Sequence, residues 1–314
     1  MNDIHLASQK FNAILYADDT TLVNSLCSFD YNARPVSDNA DLSKNINLEL
    51  KKVHNWLTAN KLSLNVLKTR YMIFHFPQRK IDLNIHIKID DIPIERTEEF
   101  DFLGLVINEN GNWNSHINKI ANKLSSVIGM LKRLHKLLPV EGLLLIYNSL
   151  FLPHLNYSIL VWGHSCDRIE KLQKKAIRLI TCSSFYAHSE PLFKRYKLLK
   201  VQDLLHLKAL KFYYRYSQNQ LPRFFDNMFS ALPVSHTYHT RYREVPRYPL
   251  PQRQTTQNCI RYYVPSLINE TPVNITEKIN THSYSGFSTY VKLFLIGKYT
   301  ETCTIPNCYV CNYS

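Results

Sequence analysis

Asp18 and Asp19 stand side by side between two short β-rich runs. Adjacent carboxylates resist joint ionisation, so something must offset their repulsion. A solvated turn would do so, and so would a divalent cation. Hard cations such as Mg²⁺ take oxygen ligands, and two of them can clamp the attacking and leaving oxygens of a phosphoryl transfer. Upstream, Phe11, Ala13 and Leu15 alternate with Asn12, Ile14 and Tyr16, and downstream runs Thr20-Thr21-Leu22-Val23. This pattern predicts a β-hairpin with both carboxylates at its tip.

The elements that must carry such a tip follow directly. Leu42, Ile46, Leu50, Val53 and Leu57 recur at helical spacing over 41–57, with Trp56 on the same face and Lys44, Glu49, Lys51 and Lys52 off it. A loop, Asn60 to Asn65, leads to Lys68-Thr69 and a strand over 71–74. Lys68 is open to two readings, a phosphate contact or a solvated surface lysine. Ile85, Ile87 and Ile89 alternate with polar residues, which predicts a half-buried strand. Asp90-Asp91 turns the chain, and Phe100 to Ile107 reads as one further strand. Its Gly104 suits either a close approach of another backbone or a bulge.

The whole chain has 314 residues, which at roughly 150 per domain suggests about two domains. Hydrophobic residues make up 45%, enough for a sizeable core, so wholesale disorder is excluded. Lysine and arginine number 38 against 25 acidic residues, a net charge of +13, which favours a polyanionic partner. Only 7 glycines occur and no glycine-rich nucleotide loop is present, which argues against mononucleotide and dinucleotide folds. Seven widely spread cysteines and a start without a signal-like pattern predict a reduced, intracellular protein. The apolar stretch from Leu143 to Trp162 is broken by Asn148, Pro153, His154 and Asn156 and reads as core helices, not a membrane span.

The second half reads as helices. Trp113, Ile117, Ile120, Leu124, Val127, Leu131, Leu134 and Leu138 alternate spacings of four and three, a continuous apolar stripe. Lys119, Lys123, Lys132 and Arg133 lie outside it. Ile169, Leu172, Ala176 and Ile180 form a second stripe, accompanied by Lys174, Lys175 and Arg178. These cations are phosphate contacts or simply solvated helix faces. Two more helices are expected over 190–199 and 201–216, then an irregular stretch over 217–275 in which arginines interleave with tyrosines, then a last helix over 284–299. Cys303, Cys308 and Cys311 have zinc-like spacing, but a structural zinc needs four ligands, so reduced thiols are the expectation.

Tyr16-Ala17-Asp18-Asp19 resembles the tyrosine-x-Asp-Asp motif of reverse transcriptases. Residues 11–23 as a whole are similar to that motif in non-LTR retrotransposons, of jockey-like or LINE type. Further motifs follow in the family's order. Helix 41–57, then Asn60-Lys61-Leu62-Ser63-Leu64-Asn65 with Lys68-Thr69, resembles the palm element after the catalytic hairpin. Phe102-Leu103-Gly104-Leu105 resembles the primer-grip strand. Tyr-Asn-Ser-Leu-Phe-Leu-Pro-His at 147–154 and Leu-Gln-Lys-Lys-Ala-Ile-Arg-Leu-Ile at 172–180 resemble the segments after the thumb.

The resemblance implies an RNA-directed DNA polymerase that extends a primer 3′-hydroxyl on an RNA template by two-metal chemistry, with dNTP as substrate and Mg²⁺ as cofactor. It implies Asp18 and Asp19 as catalytic metal ligands, with Tyr16, Lys68, Phe102, Leu103 and Gly104 near nucleotide and primer. RNA template and DNA primer are the implied partners, held by the basic helices, and no membrane is involved. The family's further palm carboxylate has no counterpart here, and Met1-Asn2-Asp3-Ile4 resembles an internal step just before the hairpin. A C-terminal fragment, inactive alone, is therefore expected, with a non-catalytic nucleic-acid-binding remnant as the alternative. The expected fold class is α+β: a partial palm over 1–110 with a small antiparallel sheet, a helical thumb over 111–216, and an irregular basic and aromatic segment with a last helix over 217–314.

Overall fold

The computed structural model describes residues 3–17, 19–24, 39–75, 85–226, 228–229 and 258–302. The chain forms two compact units, divided between Asn112 and Trp113.

The first unit is built from paired strands and one long helix. β1 (Asn12–Tyr16) and β2 (Asp19–Val23) form an antiparallel hairpin. Helix α1 spans Asn39–Ala59. Its stripe buries Ile46, Val53 and Leu57. α1 ends because Lys61 adopts a left-handed backbone (φ 57°) and the Leu62 N–H bonds back to the Leu57 carbonyl at 2.9 Å. Leu57 and Leu62 also share an apolar cluster, so the expected loop begins as a helix-stop motif.

The strand expected over 71–74 is shorter and earlier. β3 (Arg70–Tyr71) pairs in parallel with β6 (Glu95–Arg96), while β4 (Lys88–Ile89) and β5 (Ile92–Pro93) pair antiparallel. Among the described residues three strand pairs are antiparallel and one is parallel. Ile85, Ile87 and Ile89 are all buried beside Ile46, as their alternation predicts.

The single strand expected over Phe100–Ile107 is instead two. β7 (Glu99–Phe102) and β8 (Leu105–Asn108) form a hairpin with Phe102 opposite Leu105. Leu103 (φ 48°) and Gly104 (φ 82°) are its two turn residues. Two consecutive positive φ values mark the mirror-image turn that matches strand twist. Gly104 therefore serves the turn, neither a bulge nor a straight strand.

The second unit is helical. α2 (Asn114–Leu134) buries Ile117, Ile120, Leu124, Val127 and Leu131 against α6 (Asp167–Ile180). The stripe was expected to run on to Leu138, but the helix stops at Leu134 and Leu138 is 38% exposed. Pro139 follows Leu138, and the residue before proline is disfavoured in helical conformation.

Between them lie α3 (Val140–Ile146), a π turn (Tyr147–Phe151), α4 (Leu152–Asn156) and α5 (Ile159–Trp162). Leu143, Tyr147, Phe151, Leu155 and Ile159 are buried at steady four-residue spacing. On a regular α-helix each such step over-rotates by about 40°. The wider π turn takes up that drift, and it sits where Pro153 cannot bond to the Ser149 carbonyl. No single described helix is long and apolar enough to cross a membrane, and the apolar run here is bent by 56°.

α7 (Ser189–Arg195) and α8 (Val201–Ser217) follow. The stretch expected to be irregular is helical from Ile260. α9 (Ile260–Glu270) buries Val264, Pro265 and Ile268 and packs on α8. Two single-turn helices, α10 (Val273–Thr276) and α11 (Lys278–Thr281), lead to α12 (Tyr284–Gly297), which also packs on α8.

Candidate catalytic hairpin and basic helices

The β1–β2 register runs from Asn12 opposite Val23 to Tyr16 opposite Asp19. Ala17 takes φ 52°, a left-handed turn conformation. Tyr16 is 62% exposed and Asp19 is exposed at the start of β2. Asp18 lies outside the described residues, as do Cys303, Cys308 and Cys311.

The hairpin rests on α1. Ala13 and Leu22 pack with Phe11 against Ile4, Val53 and Leu57. A buried polar link completes the support. The Ser8 hydroxyl donates to Glu49 Oε2 at 2.6 Å and accepts from the Phe11 N–H at 3.3 Å. Glu49 also pairs with Lys52 Nζ at 2.7 Å. Lys52 and the Ser8 hydroxyl hold the Glu49 carboxyl below its ordinary range. Sequence placed Glu49 off the buried face, but it is buried because Ser8 and Lys52 satisfy it. Nothing in the spacing of Ser8 could have revealed that partner.

Lys68 closes a short 3-10 turn over Val66–Lys68, and its backbone N–H bonds the Asn65 side chain at 3.2 Å. Its side chain is exposed. Asn65 thus fixes the backbone that presents Lys68, and Arg70 beside it pairs with Glu95 at 2.9 Å across β3 and β6. Phe102 and Leu103 are half-buried and Gly104 is exposed at its turn. Glu109, after β8, is buried between Arg96 (2.7 Å) and His75 (3.3 Å), which ties that hairpin to β6.

Among the described residues no group of three or more His, Cys, Asp or Glu side chains is placed to hold a metal ion. The hard oxygens of Asp18 and Asp19 are of the type that Mg²⁺ takes, but two ligands are a partial set.

The packing of α2 on α6 brings the two basic sets into one unit. Lys123, Lys132, Arg133 and Lys175 are exposed, and Lys119 is half-buried. Lys174 pairs with Glu170 at 2.5 Å. Arg178 is half-buried and its Nε donates to the Ala187 carbonyl at 2.7 Å, so part of its fork is engaged in structure. His154 is half-buried, and burial together with Lys123 lowers its pKa.

Sequence reasoning missed a fully buried amide. Gln173 Nε2 donates to the Tyr147 hydroxyl and to the Leu199 carbonyl, each at 2.9 Å, and Oε1 accepts from the Val201 N–H at 2.9 Å. This clamp joins α6, the π turn and the start of α8. Burial pushes the Tyr147 hydroxyl up to about 12.

In chain order come a hairpin with Asp19 at the start of its second strand, a long helix, a second tight hairpin and then basic helices. The chain is similar to the probable RNA-directed DNA polymerase from transposon X-element of Drosophila melanogaster, with 23% identity over 199 residues. The match covers 61% of this chain and 21% of that protein, so the chain spans about a fifth of its relative's length. No family model and no solved structure matches the chain.

Proposed function

We propose that this chain is the part of an RNA-directed DNA polymerase that carries the paired-carboxylate hairpin and helices gripping template and primer. The observation that carries the reading is the Tyr16–Asp19 closing pair with left-handed Ala17, a two-residue tip presenting an exposed Asp19 from a supported base. In this reading Asp18 and Asp19 hold Mg²⁺, with Asp18 the principal ligand. Bound Mg²⁺ supplies the positive charge that phosphoryl transfer to a primer 3′-hydroxyl needs. Tyr16 and Lys68 face the incoming dNTP, Lys68 as a point charge for its phosphates. Phe102, Leu103 and Gly104 lie along the primer. Lys119, Lys123, Lys132, Arg133, Lys174, Lys175 and Arg178 contact the template–primer backbone.

Two carboxylates do not complete a two-metal site, so the 314-residue chain alone is expected to bind an RNA–DNA primer–template without extending it. The test is binding and extension with one RNA template and labelled DNA primer in Mg²⁺. Affinity should fall steeply with salt, and Gln at Lys123, Lys132, Arg133 and Lys175 should flatten that dependence. Absence of salt-sensitive binding would refute the reading. Extension that vanishes in Asp18→Ala would show that this chain supplies its whole metal set.

A further inference from the structure

Helix α8 carries Lys208, Lys211 and Arg215, spaced i, i+3 and i+7, on one helical face. The first residue of α12, Tyr284, lies beneath two of them. Lys211 Nζ is 4.7 Å and Arg215 Cζ 4.6 Å from its ring centroid. The ring is held in place from below. It meets the buried Tyr214 edge-on at 5.7 Å, and the Tyr214 hydroxyl donates to the His282 carbonyl at 2.8 Å, just before α12 begins.

These cations differ from others in the same unit. Lys174, Lys194 and Lys200 each pair with a glutamate at 2.5–3.1 Å. Among the described residues no carboxylate pairs with Lys208, Lys211 or Arg215. Partial burial and the charges of Lys211 and Arg215 lower the pKa of Lys208, and no neighbouring anion opposes them. Like charges gathered at a half-buried place are costly unless an anion joins them. Arg215 is exposed with its Cζ over the aromatic ring, so its N–H groups away from the ring are open to a phosphate. A cation–aromatic stack with further cations one and two turns along the helix suits phosphodiesters with an unpaired base between them.

We propose that Lys208, Lys211, Arg215 and Tyr284 form a binding site for single-stranded nucleic acid. The two lysines and the outward N–H groups of Arg215 take phosphates, and the Arg215–Tyr284 pair offers a surface to a base. The site is independent of the carboxylate hairpin and of the cations on α2 and α6.

The test is fluorescence anisotropy of the full chain with a labelled oligouridylate over a potassium chloride series. Replacing Lys208, Lys211 and Arg215 together by Gln should reduce the salt slope by about 2, at ~0.7 per single-strand phosphate contact. Tyr284→Leu should weaken binding roughly tenfold with the slope unchanged. Arg215→Lys keeps the charge and loses the plane, so it should weaken binding at unchanged slope and serves where the triple variant fails to fold. Unchanged slope and affinity across these variants would overturn the proposal. So would an oligoglutamate of equal charge that competes as well as unlabelled oligouridylate. Gln at Lys123, Lys132, Arg133 and Lys175 in the same series separates the two readings. Loss there with none at α8 overturns the α8 site and leaves the polymerase reading standing, and the reverse outcome does the opposite.

Discussion

Tyr16 and Asp19 face each other as the last paired residues of the β1–β2 hairpin, and Ala17 beside them has φ 52°. An L-residue with a Cβ pays about 1–2 kcal/mol in that left-handed region. Ala17→Val adds β-branching there and should lower the stability of the first unit by about 1–2 kcal/mol, read by urea denaturation. Ala17→Gly should be neutral or slightly stabilising, since relief of strain is offset by a freer unfolded chain. If Ala17→Val were neutral, the left-handed turn would be wrong.

The second hairpin gives a parallel test. Gly104→Val should cost about 1–2 kcal/mol, because φ 82° is open to glycine and closed to a branched side chain. Gly104→Asn should be tolerated better, as asparagine visits the left-handed region most readily after glycine. Equal effects of the two substitutions would favour a straight strand through this position.

Gln173 is the polar residue on which the second unit most depends. Gln173→Leu leaves the Val201 N–H and two acceptors unpaired in the interior, each lost partner costing about 1–3 kcal/mol. A total loss of at least about 3 kcal/mol is expected in chemical denaturation. Tyr147→Phe should cost less when combined with Gln173→Leu than alone, because the shared hydrogen bond is already gone. Additive effects would show that the two side chains do not interact.

Acid should weaken the fold in two stages. Burial lowers the pKa of His164, with His206 adding to it. Burial also lowers His206, helped by Lys298 and opposed by Asp203 and Glu270. His154 is lowered likewise. A histidine depressed in the folded state gives its full contribution above the unfolded pKa of about 6.5, and that contribution is lost as pH falls below it. Melting temperature should therefore be level between about pH 8 and about 7 and decline toward about 5. Glu49 is depressed too, so its contribution persists above the unfolded carboxyl value of about 4.3 and disappears below it. Glu49→Gln should remove the lower stage and leave the upper one. A melting temperature that rises between pH 7 and 5 would contradict the histidine assignment.

Local pattern carried a good deal of this structure. Alternation on either side of the Asp18-Asp19 pair was enough for the hairpin, because two short β-rich runs separated by a polar turn pair with each other locally. The stripes of α1, α2 and α6 were equally legible, since 3.6-residue periodicity fixes which side chains share a face. The order of motifs was sufficient for the resemblance to reverse transcriptases. Tertiary structure decided which polar residues go inside. Glu49 is buried by Ser8, 41 positions away, and Gln173 by Leu199 and Val201, 26 and 28 positions away. It also decided that Leu103-Gly104 is a turn and that Tyr147–Phe151 widens to a π turn. It gathered Lys211 and Arg215 over Tyr284, about seventy residues along the chain. Periodicity reports only the face a residue shares with its near neighbours, whereas burial of a polar or charged group depends on partners that the folded chain alone brings within hydrogen-bonding reach.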